Sequence, residues 1–166
     1  MSITFREYMN RTGETAVYPR RLYKEGLMYA ALGLVSEVKE FEETADDLVG
    51  EAGDVVWFAA EIFNHLGSDM DPYAMTALAN LGEGIDEDAS FLAAEVAGHV
   101  SKVWREGILD ERKEEAIIRC TAGIVANVMD AAELHGYSFV DVLEHNLNKL
   151  ASRKERGVLH GDGGSR

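Results

Sequence analysis

Glu37 and Glu40 lie three residues apart, and Glu51 and Asp54 repeat that spacing shortly downstream. On a helix, residues three apart sit about 60° from one another around the axis, so each pair shares a face. Two antiparallel helices joined by a short turn bring the pairs opposite one another. Four facing carboxylates repel unless a counter-charge stands between them. Hard divalent cations take oxygen ligands of this kind, and Mg²⁺ is the usual one where phosphates complete the coordination. In a chain with 30 acidic residues, such pairs also arise on solvated faces. The flanks separate the two cases. Glu37 lies between Leu34 and Val38, and Asp54 is followed by Val55, Val56, Trp57 and Phe58. A carboxylate at the edge of a core is costly and wants a partner or a metal.

Further along, Lys149 and Arg153 are one turn apart, so both can address phosphate oxygens. A basic helix end also suits the macrodipole without any ligand. Asn146, one turn earlier, could bond to a phosphate, a sugar or a metal-held water. Tyr18 and Trp57 are stacking candidates for a base, but are more simply core or boundary aromatics. Thr15, Arg20 and Arg21 could border the same base or sugar. Arg166 closes a glycine tail that also holds His160 and Asp162. That tail is a mobile end or a lid over phosphate. The lone cysteine, Cys120, sits in an apolar stretch and reads as a buried, inert thiol. His65, His99, His135 and His145 match no metal-ligand spacing and receive no role. The chain has no GxxxxGK[ST] loop, GxGxxG, HExxH or GxSxG.

These residues need helices to carry them. Leu27, Ala30, Ala31, Leu34, Val38 and Phe41 recur at three- and four-residue steps, which predicts a helix from Leu22 to about Thr44. Thr44 with Asp47 reads as a capping box opening a second helix to about Leu66, stopped by Gly67. Asp71 and Pro72 start a short helix to about Leu81, and Gly82 and Gly84 break it. Another runs from about Asp86 to Glu106. Asp110 caps the next, to about His135. Ser138 with Asp141 opens the last, to about Glu155. Residues 1 to 21 look irregular or partly helical, with Pro19 ending that segment. No stretch alternates with period two, so the expected fold class is all-α, a helical bundle.

Two stretches of the chain also read as a weak internal repeat. GDVVWFAAEIFNHLGSDMDPYAMTALANL resembles GIVANVMDAAELHGYSFVDVLEHNLNKL, with Gly53 opposite Gly123 and a one-residue gap. LVSEVKE matches LAAEVAG, with Glu37 opposite Glu95. Two related units follow, one about 22–81 and one about 86–155, with 156–166 as the tail. Gly98 stands where Glu40 would and Ile124 where Asp54 would, so the second unit cannot build the acidic site.

LGLVSEVKEF, then EAGDVVWFAAEI, then NLNKLASRKERGVLHGDGGSR resemble the MazG-like nucleotide pyrophosphohydrolases, within the all-helical nucleoside triphosphate pyrophosphatase group. The shared pattern is an ExxE pair, a short spacer, an ExxD pair followed by an aromatic, and a later NxxKLxxR segment. It covers residues 1 to about 67 and 138 to 166. The resemblance implies Mg²⁺ (with Mn²⁺ able to substitute) on Glu37, Glu40, Glu51 and Asp54, the catalytic acids. It implies a nucleoside or deoxynucleoside triphosphate held by Asn146, Lys149, Arg153, Trp57, Tyr18 and Arg166. Cleavage between the α and β phosphates then yields a monophosphate and pyrophosphate. It further implies sites formed where helical units meet, in a homo-oligomer or in an internal pseudo-dimer. The alternative on the same scaffold is a non-catalytic nucleotide-binding or regulatory protein.

Composition bounds the rest. With 166 residues, 46% of them hydrophobic, the chain can build one core. The net charge of −14 argues against a nucleic-acid polymer as partner. Arg6 and Glu7 interrupt any secretory start, and no apolar run reaches the roughly 18 residues of a membrane span. A soluble, cytoplasmic protein is the expectation.

Overall fold

The computed structural model describes residues 2–44, 46–68 and 88–159. Six helices are found among them: α1 (Phe5–Thr12), α2 (Tyr23–Glu43), α3 (Leu48–Leu66), α4 (Ala89–Glu106), α5 (Glu111–Leu134) and α6 (Phe139–Glu155). No strand occurs among the described residues, and the class is all-α. The expected short helix from Asp71 to Leu81, its break at Gly82 and Gly84, and the tail residues His160, Asp162 and Arg166 lie outside the described residues.

Caps explain most boundaries. Asp110 accepts the Lys113 backbone N–H at 2.9 Å, and Ser138 and Asp141 form the expected capping box. Two expectations are corrected. α3 is capped by Asp47 alone, whose carboxylate accepts the Gly50 N–H, and not by a Thr44 box. α4 begins at Ala89 under an Asp88 cap, a little later than Asp86. The N-terminal segment is partly helical: Thr4 and Glu7 form a reciprocal capping box that starts α1. Gly67 and Gly107 end α3 and α4 at φ 64° and 75°, a left-handed conformation that glycine adopts without a side-chain clash.

The helices pack as two antiparallel hairpins, α2–α3 and α4–α5, laid so that α2 also lies on α4 and α3 on α5. α1 and α6 close over the free side of α3. Leu27, Leu34 and Val38 of α2 and Val55, Ile62 and Phe63 of α3 belong to one core, which continues through Val96, Val100, Ile117, Ile124 and Leu143. Phe41, at the end of the α2 apolar stripe, is only half-buried. Cys120 is buried. No described helix is long and apolar enough to cross a membrane.

Small residues set how closely α3 is approached. A Cβ on Gly33 would fall 2.1 Å from the Phe58 ring, and one on Gly26 would fall 2.2 Å from His65. Both fix the register of α2 against α3. On the other side, a Cβ on Gly53 would meet Asn146 Cβ at 2.8 Å, so glycine there lets α6 settle against α3.

Candidate metal centre

The α2–α3 register places the acid pairs at the end of the hairpin next to its turn. One carboxylate oxygen each from Glu37, Glu40 and Glu51 lies within 4.8 Å of the others. Among the described residues this is the only such grouping of three potential ligands. Asp54 stands beside it but is engaged elsewhere. Lys149 Nζ donates to Asp54 Oδ2 at 2.5 Å and to the Gly50 carbonyl at 3.2 Å. Asn146 Nδ2 donates to Asp54 Oδ1 at 3.0 Å. Behind it, Tyr8 of α1 donates its hydroxyl to Asn146 Oδ1 at 2.7 Å.

The electrostatics follow from this crowding. Glu37 is pushed up from 4.5 to about 7, first by burial and then by the Asp54, Glu40 and Glu51 carboxylates, against the opposing pull of Lys149. Burial and Asp54 also raise Glu51. In Asp54, burial outweighs the lowering effects of Lys149 and Arg153, and the group ends above its ordinary value. Glu51 Oε2 is buried with no hydrogen-bond partner among the described residues. Leaving such an atom unpaired is costly. An all-oxygen donor set, crowded with negative charge and holding a buried unsatisfied oxygen, fits a hard divalent cation such as Mg²⁺ or Mn²⁺.

The other residues singled out in the sequence divide. Lys149 and Arg153 stand at the acids, Lys149 in contact and Arg153 through its charge. Asn146 is close too, but it is fully buried and its amide serves Tyr8 and Asp54. Trp57 is buried, edge-on to Tyr18 and Phe58. Tyr18 stacks on Tyr29 at a centroid distance of 4.4 Å. Both candidate stacking rings thus pack against other rings of the chain. Thr15 bonds to the Thr12 carbonyl, and Arg21 is exposed. In the second hairpin, Ile124 is core, Gly98 is exposed, and Glu95 lies 3.9 Å from His99.

A second polar cluster escapes the sequence reading. Glu61 is fully buried, where Arg20 binds both its oxygens at 2.7 and 2.9 Å. Thr12, Asn64 and the Tyr18 hydroxyl donate to it as well, and Tyr18 meets His65 Nε2 at 2.9 Å. The cluster ties residues 12–20 onto α3, one turn and more beyond Asp54. Its only sequence signal is a lone acid inside an apolar run.

The chain is 33% identical over 76 residues to the Gene 37 protein of Mycobacterium phage L5, a match spanning 45% of this chain and 67% of that protein. No family model matches the chain, and no solved structure matches it.

Proposed function

This chain belongs to the same family as the phage Gene 37 protein, whose name specifies no activity, and from its own residues we propose that it is a Mg²⁺-dependent nucleotide pyrophosphohydrolase. The observation that carries the reading is the convergence of Glu37, Glu40 and Glu51 oxygens within 4.8 Å, with Glu51 Oε2 buried and unpartnered. The resemblance to MazG-like enzymes in the ExxE, ExxD and NxxKLxxR segments supports it.

Glu37, Glu40 and Glu51 hold the cation, and Asp54 joins them when Lys149 turns from it to phosphate. When bound, the cation supplies positive charge to the triphosphate and makes water more acidic. Lys149 and Arg153 bind phosphate oxygens and orient the chain of phosphates. One glutamate takes a proton from the attacking water. The water oxygen bonds to the α-phosphorus, the bond from that phosphorus to the α–β bridging oxygen breaks, and pyrophosphate leaves with the electron pair. The substrate is a nucleoside or deoxynucleoside triphosphate in the cytoplasm. The alternative on the same fold is a substrate such as dUTP, dCTP or phosphoribosyl-ATP, since base selection depends on pocket shape.

The two hairpins, each antiparallel and packed face to face, support reading them as related units in an internal pseudo-dimer. Self-association of such a chain is part of the same proposal.

The test is a panel of triphosphates with Mg²⁺ and Mn²⁺, read for pyrophosphate against phosphate. Pyrophosphate and monophosphate are expected, and Asp54→Asn abolishes them while the fold survives. Release of phosphate overturns the α–β assignment. Tight binding of a non-hydrolysable triphosphate without turnover moves the chain to a nucleotide-binding or regulatory role.

A further inference from the structure

We infer that Tyr8 is a positioning residue for the metal centre, acting on Asp54 through the buried amide of Asn146. The inference rests on the reading of Asp54 as a metal ligand. Tyr8 and Asn146 are both fully buried, on different helices, and each is bonded to the next: Tyr8 hydroxyl to Asn146 Oδ1 at 2.7 Å, Asn146 Nδ2 to Asp54 Oδ1 at 3.0 Å.

The chemistry of the three groups allows one arrangement. A carboxylate only accepts, so the amide must turn its NH₂ end to Asp54. That leaves the amide oxygen facing α1, where it needs a donor, and the Tyr8 hydroxyl is the donor present. Reversing the amide would set its oxygen against the carboxylate with no hydrogen between them. Tyr8 therefore fixes the orientation of Asn146, and Asn146 fixes the position of Asp54. Asn146 takes one bond on Asp54 Oδ1, which keeps a further lone pair for a cation, while Lys149 holds Oδ2 until it turns to phosphate. Gly53 belongs to the same device, because only a residue without Cβ lets Asn146 come this near α3. Groups that orient metal ligands from behind affect metal affinity strongly when removed.

The experiment is a Mn²⁺ titration of the full chain followed by electron paramagnetic resonance, with melting temperature measured beside it. Tyr8→Phe keeps the ring and removes the hydroxyl. It is expected to weaken Mn²⁺ binding roughly ten-fold. Asn146→Leu should weaken it at least as much, and the double variant no further than Asn146→Leu alone. That lack of additivity separates an effect through Asn146 from a general loss of packing. Wild-type affinity in Tyr8→Phe, or a loss that adds to that of Asn146→Leu, overturns the inference. Should Tyr8→Phe fail to fold, Asn146→Leu alone tests the same link without adding charge: it removes both the acceptor for Tyr8 and the donor to Asp54. Undiminished Mn²⁺ affinity there overturns the inference as well. Mn²⁺ uptake by the wild type with no turnover defeats only the hydrolytic reading. No uptake at all defeats the metal centre and this inference together.

Discussion

Lys149 Nζ lies 2.5 Å from Asp54 Oδ2, and both side chains are about one-seventh exposed (15% and 13%). A helix α6 ammonium therefore lies beside Asp54. The arrangement satisfies a carboxylate that burial alone would drive toward its protonated form. A divalent cation held by Asp54 as proposed would compete with Lys149 for Oδ2.

Lys149→Met keeps the volume and removes the charge. Breaking a buried pair by deleting one partner costs on the order of 3 kcal/mol. In a chain of this size each kcal/mol moves Tm by roughly 2–4 °C. The variant in EDTA should melt several degrees below the wild type, and Mg²⁺ should raise its Tm by more than it raises the wild type's. Differential scanning calorimetry with and without Mg²⁺ measures both. An equal Mg²⁺ increment in the two proteins would show that Lys149 and the cation do not compete.

A pH dependence follows from Glu37, whose folded value stands near 7 against an ordinary 4.5. Between these values the folded chain holds a proton that the unfolded chain has lost. Stability from this group is therefore present below about pH 4.5 and falls as pH rises toward about 7. A cation needs the ionised carboxylate, so metal affinity runs the other way and rises across the same window with proton release. Unfolding in EDTA over that range, compared with Glu37→Gln, isolates the contribution. The carboxylates of Glu7, Glu106, Asp110 and Asp141 are shifted the opposite way and appear equally in both proteins. The expected result is a difference that grows against the wild type as pH rises. A flat difference refutes the shift.

The long helices and the acid pairs are legible in the sequence because both rest on local spacing. The α2 stripe from Leu27 to Val38 and the caps at Asp110 and Ser138 need no tertiary information. What joins the pairs does need it. Tyr8 reaches Asn146 across 138 residues of chain, and nothing in FREYMNRT marks that tyrosine. Asn146 carried a motif but not its direction: the resemblance points it to substrate, and the fold buries it behind Asp54. Arg20 and Glu61 are ordinary charges until the fold brings them to 2.7 Å. Of the four acids, Glu37 and Asp54 declared their burial through apolar flanks.

Two glycines matched in the internal repeat, or standing opposite an acid in it, give contrasting substitutions. A Cβ on Gly53 meets Asn146 Cβ at 2.8 Å and Nδ2 at 3.1 Å, and a Cβ atom held by its own helix cannot rotate away. Alanine gains up to about 1 kcal/mol in helix propensity, but overpacking of this kind costs roughly 1–3 kcal/mol. Gly53→Ala should therefore lower Tm, part α6 from α3, and draw Asn146 off Asp54, so that Mn²⁺ affinity falls along with stability. Gly98, where the first unit has Glu40, is exposed in the middle of α4, and a Cβ there meets nothing within 4 Å. Gly98→Ala keeps the propensity gain of about 0.8–1 kcal/mol and should raise Tm by about 2–4 °C with metal affinity unchanged. Melting curves and Mn²⁺ titrations of the two variants side by side test the contact. If Gly53→Ala stabilises the chain as Gly98→Ala does, the close approach of α6 to α3 is wrong, and with it the placement of Asn146 against Asp54.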